Sequence, residues 1–203
     1  NMIEDFSQHA WREIMNVYQM QSQAGGQPRV IVINANTANK GDSGRYQMMR
    51  YGLASTLLGD GYFSFDHGDR DHGQVWWYDE YNVNLGDPTG ESQNVNGGAK
   101  YVDGVWRRDY AHGLTIVNST GMEQTVDLGA DYEKIIGKQD PVINSGEVVD
   151  KVKLSAKDGL ILLKTSQKID NLVFDNGSLA RFLDMRGARA RNGFFIFDEN
   201  YPA

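Results

Sequence analysis

The sequence predicts an α/β part followed by an all-β part. Three observations predict it. Aromatics and methionines crowd the first half, glycine, asparagine and aspartate rise after Leu85, and short alternating runs of valine, isoleucine and leucine mark the rest. The expected domains are 1–90 (α/β, carrying the candidate site), 100–170 (an antiparallel β-sandwich) and 171–203 (a further β segment or linker).

Residues Asp5 to Gln21 read as a helix, because Phe6, Trp11, Ile14, Met15 and Tyr18 fall on one face at three- and four-residue spacings. Gly25-Gly26-Gln27-Pro28 turns the chain. Val30-Ile31-Val32-Ile33 is the continuous β-branched run of a strand covered on both faces, as in a parallel sheet. A polar loop, Asn34 to Asp42, leads to a second helix over about Arg45 to Leu58. Gly59-Asp60-Gly61 ends that helix, and Tyr62-Phe63-Ser64-Phe65 follows as a strand.

Helix, strand, helix, strand is the repeating unit of a parallel sheet. Ligands bind at the C-terminal ends of such strands, so Asn34, Asn36, Asp66, His67 and Asp69 are expected on one rim. A Gly-, Asn- and Pro-rich stretch, Asp87 to Lys100, marks a boundary or long loop. Beyond it the strand candidates are Gly104–Asp109, Leu114–Asn118, Gln124–Leu128, Val148–Leu154 and Leu160–Lys164. Asn118-Ser119-Thr120-Gly121 and Lys157-Asp158-Gly159 supply turn chemistry. Leu179–Leu183 and Gly193–Phe197 could add strands, with Arg186, Arg189 and Arg191 in a solvated turn between them.

The chain has 203 residues and a net charge of −7, and no run of Lys and Arg forms a basic patch. Nucleic acid is therefore not an expected partner. No apolar run is long enough to span a membrane, and no signal peptide opens the sequence. Cysteine is absent, which excludes disulfides and thiolate chemistry but leaves the compartment undecided, with secretion or a cell-surface location both compatible. The chain opens at Asn1 inside an amphipathic segment and stops at Tyr201-Pro202-Ala203, so a fragment of something longer is expected.

Chemistry concentrates in Tyr62–Gly86. Asp66, His67, Gly68, Asp69, Asp71, His72 and Gly73 are followed directly by Gln74, Trp76, Trp77, Tyr78, Asp79 and Glu80. Ionisable groups beside large flat apolar faces are costly to bury and dispensable for folding, which suggests a site. Sugar rings pack C–H faces on aromatic surfaces while their hydroxyls need polar partners. Glycoside hydrolysis uses two carboxyl groups, for which Asp66 and one of Asp79 and Glu80 are the candidates. Asn34, His67, Asp69, His72, Gln74, Trp76, Trp77 and Tyr78 are the candidate sugar contacts. The structural alternative is that Asp66 caps a loop, Asp79 and Glu80 are solvated, and one of the two tryptophans is core. Asp66, His67, Asp69, Asp71 and His72 also offer metal ligands, calcium above zinc, but no familiar ligand spacing matches. No metal and no cofactor is assigned. Lone histidines (His9, His112) read as structural, and Arg107-Arg108-Asp109 as a strand-edge ion pair.

Three phrases resemble glycoside hydrolases built on a (β/α)₈ barrel with an appended β-sandwich. Met49–Leu53 with Leu57–Phe63 looks like the last helix and strand of the barrel. Asp66-His67-Gly68 through His72–Tyr81 looks like the loop and final strand region, and Trp106–Tyr110 with Gly113–Asn118 looks like the start of the sandwich. The chain resembles the hypothetical glycosyl hydrolase family fifteen, over about Val30 to Thr165. That resemblance implies the C-terminal part of a (β/α)₈-type barrel followed by an antiparallel β-sandwich, a carbohydrate substrate and acid–base hydrolysis. It also implies earlier βα units, an N-terminal barrel half that this chain lacks. The competing expectations are a non-catalytic carbohydrate-binding or structural module and a metal-stabilised interaction domain.

Overall fold

The computed structural model describes residues 2–3, 6, 9–24, 30–98 and 101–165, together with the backbone of 189–191 and 194–196. The chain divides into two compact units, residues 1–164 and 165–203.

The first unit begins with a three-stranded parallel sheet. Strands β1 (Met2–Ile3), β2 (Val32–Asn36) and β3 (Tyr62–Asp66) lie side by side in that order. Met2 pairs with Val32, and the β2–β3 register runs from Val32↔Tyr62 to Asn36↔Asp66. Helix α1 (Trp11–Gln23) joins the first two strands and helix α2 (Tyr46–Thr56) the second pair. α1 buries Trp11, Ile14, Met15 and Tyr18, the stripe expected of a helix packed on one face. Trp11 Nε1 donates to Ser55 Oγ at 2.8 Å and Tyr18 Oη to the Thr56 carbonyl at 3.0 Å, which fastens α1 beside α2.

The two faces of this sheet differ in chemistry. A Cβ built on Gly52 of α2 would stand 2.6 Å from the Phe63 ring and 3.0 Å from the Ala35 Cβ, so Ala35 and Phe63 face the helix. Side chains alternate along a strand. Asn34, Asn36, Ser64 and Asp66 therefore form a polar row on the face turned away from α2.

Helix α2 is a middle layer. Its other side meets a six-stranded antiparallel sheet made of β4 (Gln93–Asn94), β5 (Val105–Asp109), β6 (Gly113–Asn118), β7 (Gln124–Lys134), β8 (Val148–Leu154) and β9 (Asp158–Lys164). Their order is β4-β5-β6-β9-β7-β8. A Cβ on Gly159 of β9 would stand 2.4 Å from the Ala54 Cβ, so glycine there lets strand and helix backbones approach closely. Arg108 of β5 reaches the end of α2, donating to Gly59 O at 2.7 Å and pairing with Asp60 at 2.8 Å. A cation at a helix C-terminus is favoured by its unpaired carbonyls.

Strand β7 bends the sheet. Its register breaks between Asp127 and Tyr132, where Gly129 takes φ +77°. The first part pairs with β8, whereas Tyr132–Lys134 also pairs with Leu162–Lys164 of β9. Val105, Leu114, Ile116, Leu160 and Leu162 from β5, β6 and β9 consequently share one core with Val126, Leu128, Val152 and Leu154 from β7 and β8.

Several boundaries differ from expectation. α1 starts at Trp11, not Asp5, because Phe6 still donates its N–H to Asn34 O alongside β2; Phe6 is nonetheless buried. Strand β2 is Val32–Asn36, not Val30–Ile33, since its pairing with β3 carries through the polar Asn34 and Asn36. Asp158 and Gly159 belong to β9, and the hairpin turn falls at 156–157, with Lys157 at φ +52°. Gly25–Pro28 and Leu179–Leu183 lie outside the described residues. In the second unit, β10 (Arg189–Arg191) pairs antiparallel with β11 (Phe194–Ile196). Arg189 and Arg191 are thus strand residues and not the expected turn; Arg186 lies outside the described residues.

Candidate functional site

Asp66 ends β3 at the C-terminal rim of the parallel sheet and is buried, at 5 % exposure. Its Oδ2 accepts from Asn34 Nδ2 at 2.8 Å and meets His72 Nδ1, also at 2.8 Å. Asn34 donates as well to Ser64 Oγ at 2.7 Å, and Asn36 Nδ2 lies 3.4 Å from Asn34 Oδ1. The polar row is thus one network, with Asp66 at its rim end. Asp66 Oδ1 is buried with no hydrogen-bond partner in the protein. Buried polar atoms of this kind are uncommon.

Two loops hold this arrangement. Thr37 N–H donates to Asp66 O and Asn39 N–H to His67 O, continuing the β2–β3 pairing beyond the strands. Thr37 Oγ1 donates to His67 O at 2.8 Å, and the turn is drawn tight by Ala38 and Asn39, both at positive φ. On the other side, Gln74 Oε1 accepts the His67 N–H at 2.9 Å while its Nε2 donates to Asp71 Oδ2 at 2.5 Å. Gln74 therefore closes the 67–74 loop that carries His72. The His67 ring lies against Gly41, its Nδ1 buried without a partner. Asp69 is exposed in the turn between the bridged Gly68 and Asp71.

The aromatic run divides into different environments. Tyr78 is buried at 1 %, packs on Phe65 with ring centroids 5.8 Å apart, and donates its hydroxyl to Ser43 O, so it has no open ring face. Burial pushes its phenol above the ordinary tyrosine range, with nearby Tyr46, Asp42 and Glu80 adding to the effect. Trp76 is half-buried against Phe65. Trp77 is 62 % exposed, and its indole is fixed by a 3.0 Å hydrogen bond from Nε1 to Asn82 Oδ1.

Asp79 and Glu80 open a 3₁₀ turn, Asp79–Asn82, and both are tied to the loop after β7. Asp79 Oδ2 accepts the N–H groups of Lys138 (2.6 Å) and Gln139 (2.9 Å), while Gln139 Oε1 accepts the Asp79 N–H and its Nε2 donates to Trp77 O. Buried Glu80 accepts from Asn144 Nδ2 at 2.9 Å. The structure thus brings Asn34, Asp66 and His72 together, with His67 and Gln74 as loop supports, and fastens Asp79 and Glu80 to the loop between β7 and β8. Among the described residues no group of three or more His, Asp or Glu side chains is placed to hold a metal ion.

The sequence profile of hypothetical glycosyl hydrolase family 15 matches residues 1–114, more than half of the chain. The chain belongs to that family. The family 15 match takes in β1 and α1, which the motif-level resemblance from Val30 onward had left out, and reaches Leu114 in β6. It covers every residue of the Asp66 network. No curated protein matches the sequence.

One partner in the Asp66 network, Ser64, had been missed; polar alternation in β2 and β3 signals it, hidden when β2 is ended at Ile33. Gln139 and Asn144 reach Asp79 and Glu80 from about sixty residues away and leave no local signal.

Proposed function

We propose that this family 15 protein is a glycoside hydrolase acting on an oligo- or polysaccharide by acid–base catalysis, with Asp66 at the centre of the site. The observation that carries this reading is the buried carboxylate at the rim of a parallel sheet, hydrogen-bonded to Asn34 and His72. The family description supports the reaction class and a carbohydrate substrate. The architecture we infer is the C-terminal part of a (β/α)₈-type barrel followed by a β-sandwich. Helices on one face of the parallel sheet and a polar row on the other are what a barrel segment presents, and the shared core of the bent six-stranded sheet is what a sandwich presents. Three parallel strands do not by themselves close a barrel. Asp79 and Glu80 serve as fasteners of the site-bearing segment. Among the described residues no helix is long and apolar enough to cross a membrane.

Trp77 favours a second reading, in which the protein binds glycans without cleaving them. An exposed indole held in place by Asn82 is a ready platform for a sugar face. Incubation with a panel of plant, bacterial and host polysaccharides separates the two. Release of new reducing ends supports hydrolysis. Saturable binding without release, lost in Trp77→Ala, supports the binding module and overturns the hydrolase.

A further inference from the structure

A cavity of about 640 Å³ lies where α2 begins, closed on its other sides by the segment before α1 and the turn between β8 and β9. That volume is in the range of small-molecule sites. α2 runs back from the C-terminal end of β2, so its first turn is at the rim that carries Asp66. Ring contacts link the two places. Tyr46 of that turn meets Tyr78 edge-on with centroids 6.2 Å apart, and Tyr78 packs on Phe65, the neighbour of Asp66.

The wall of the cavity is cationic in a chain whose net charge is −7. Arg45 and Lys157 line it, and neither is in an ion pair among the described residues. Asp140, the carboxylate among the lining residues, is committed to Arg50. α2 has no side-chain N-cap, and the N–H groups of Gln47 and Met48 in its first turn have no acceptor among the described residues. Free donors at the positive end of a helix favour an anion. Tyr51 supplies a second observation, independent of the helix end. It is 7 % exposed, and its hydroxyl is buried with no hydrogen-bond partner. A long helical side chain leans back over the turn before it, so Tyr51, which also lines the cavity, is directed toward the start of α2. Burial, with Asp103 adding to it, raises this phenol above the ordinary tyrosine range, so the hydroxyl keeps its proton and is a donor. The shape is set in advance, since Gln47 Nε2 donates to Ala156 O at 2.8 Å and holds the β8–β9 turn against α2.

We propose that this cavity is a subsite for an anionic sugar residue, whose carboxylate or sulfate is held by Arg45, Lys157 and the first turn of α2 while its ring lies against Tyr46. The proposal rests on the carbohydrate reading above and adds the charge class of the glycan.

The test compares three probes by calorimetry: an oligogalacturonate, a sulfated oligosaccharide and the carboxyl-reduced, neutral form of the first. Amide ¹H–¹⁵N shifts locate the site. An acidic probe should bind about tenfold or more tightly than the neutral one and move the Gln47 and Met48 amides, and the tighter of the two acidic probes tells carboxylate from sulfate. Arg45→Ala and Tyr51→Phe should each weaken that binding roughly tenfold. Tyr51→Phe removes only a hydroxyl without a partner, so the fold is kept. Equal affinity for the neutral probe, or acidic binding unchanged in both variants, overturns the subsite. If neutral glycans are cleaved and acidic ones are not bound, the hydrolase reading stands and the subsite falls. If acidic probes bind at these amides and no glycan is cleaved, the subsite stands and the hydrolase reading falls.

Discussion

Arg50 of α2 meets Asp158 of β9 as a bidentate pair, Nε to Oδ1 and Nη2 to Oδ2, both at 3.1 Å. Both residues are buried, and Nη1 of the same guanidinium reaches Asp140 at 2.5 Å. Burial disfavours the charge on Arg50, but the hydrogen bonds and charges of Asp158 and Asp140 outweigh it and hold the guanidinium above its ordinary value. The cluster joins the helix of the parallel-sheet part to the six-stranded sheet. Asp158→Ala leaves a buried guanidinium half-paired, and a loss of about 3–5 kcal/mol is expected. Urea unfolding measures it; a loss below about 1 kcal/mol would show that Asp140 and water suffice.

The same junction depends on small residues. Gly159→Ala places a methyl 2.4 Å from the Ala54 Cβ and 2.9 Å from the Arg50 carbonyl, so backbone or helix must shift. Overpacking of this kind costs about 1–3 kcal/mol. Ala54→Gly in the Gly159→Ala background should recover part of that loss, and thermal melts of the two variants check it.

Alkaline pH tests the core. Burial, foremost among the causes, raises the phenols of Tyr18, Tyr51, Tyr78, Tyr81 and Tyr110 above the ordinary tyrosine value. Above pH of about 10 the unfolded chain releases these protons while the native one keeps them, so stability is intact below that pH and falls as pH rises beyond it. These are five of the ten tyrosines in the chain. Absorbance at the phenolate band should therefore show no more than half of them titrating normally, with the remainder appearing only on unfolding. A single ordinary titration of all ten in folded protein would contradict the packing.

Asp79 is predicted to fasten and not to catalyse. Asp79→Ala strands two backbone N–H groups of the 137–144 loop, at an expected cost of about 1–3 kcal/mol. Turnover of any cleaved glycan should stay within a few-fold of wild type at a temperature where the variant is folded. Loss of turnover at unchanged stability would return Asp79 to the catalytic set.

Periodicity made the two helices and most strands legible, because Trp11, Ile14, Met15 and Tyr18 bury on one stripe and β6 and β9 are dense in β-branched and leucine residues. The end of β2 was less legible, since Asn34 and Asn36 read as loop when their partners Ser64 and Asp66 are not yet in register. Asp66 and His72 were recognisable as chemistry by clustering. Their direct contact was not, because it depends on how the 67–74 loop folds back onto the rim of the sheet. The anchoring of Asp79 and Glu80 by Lys138, Gln139 and Asn144 was not legible either, since only the folded chain creates those contacts.

The most direct test of the account is the turnover of Asp66→Asn on a glycan that the wild type cleaves, read beside its melting temperature. The account predicts a fall in kcat of roughly 100-fold or more with the variant still folded. Wild-type turnover in Asp66→Asn would contradict an Asp66-centred glycoside hydrolase.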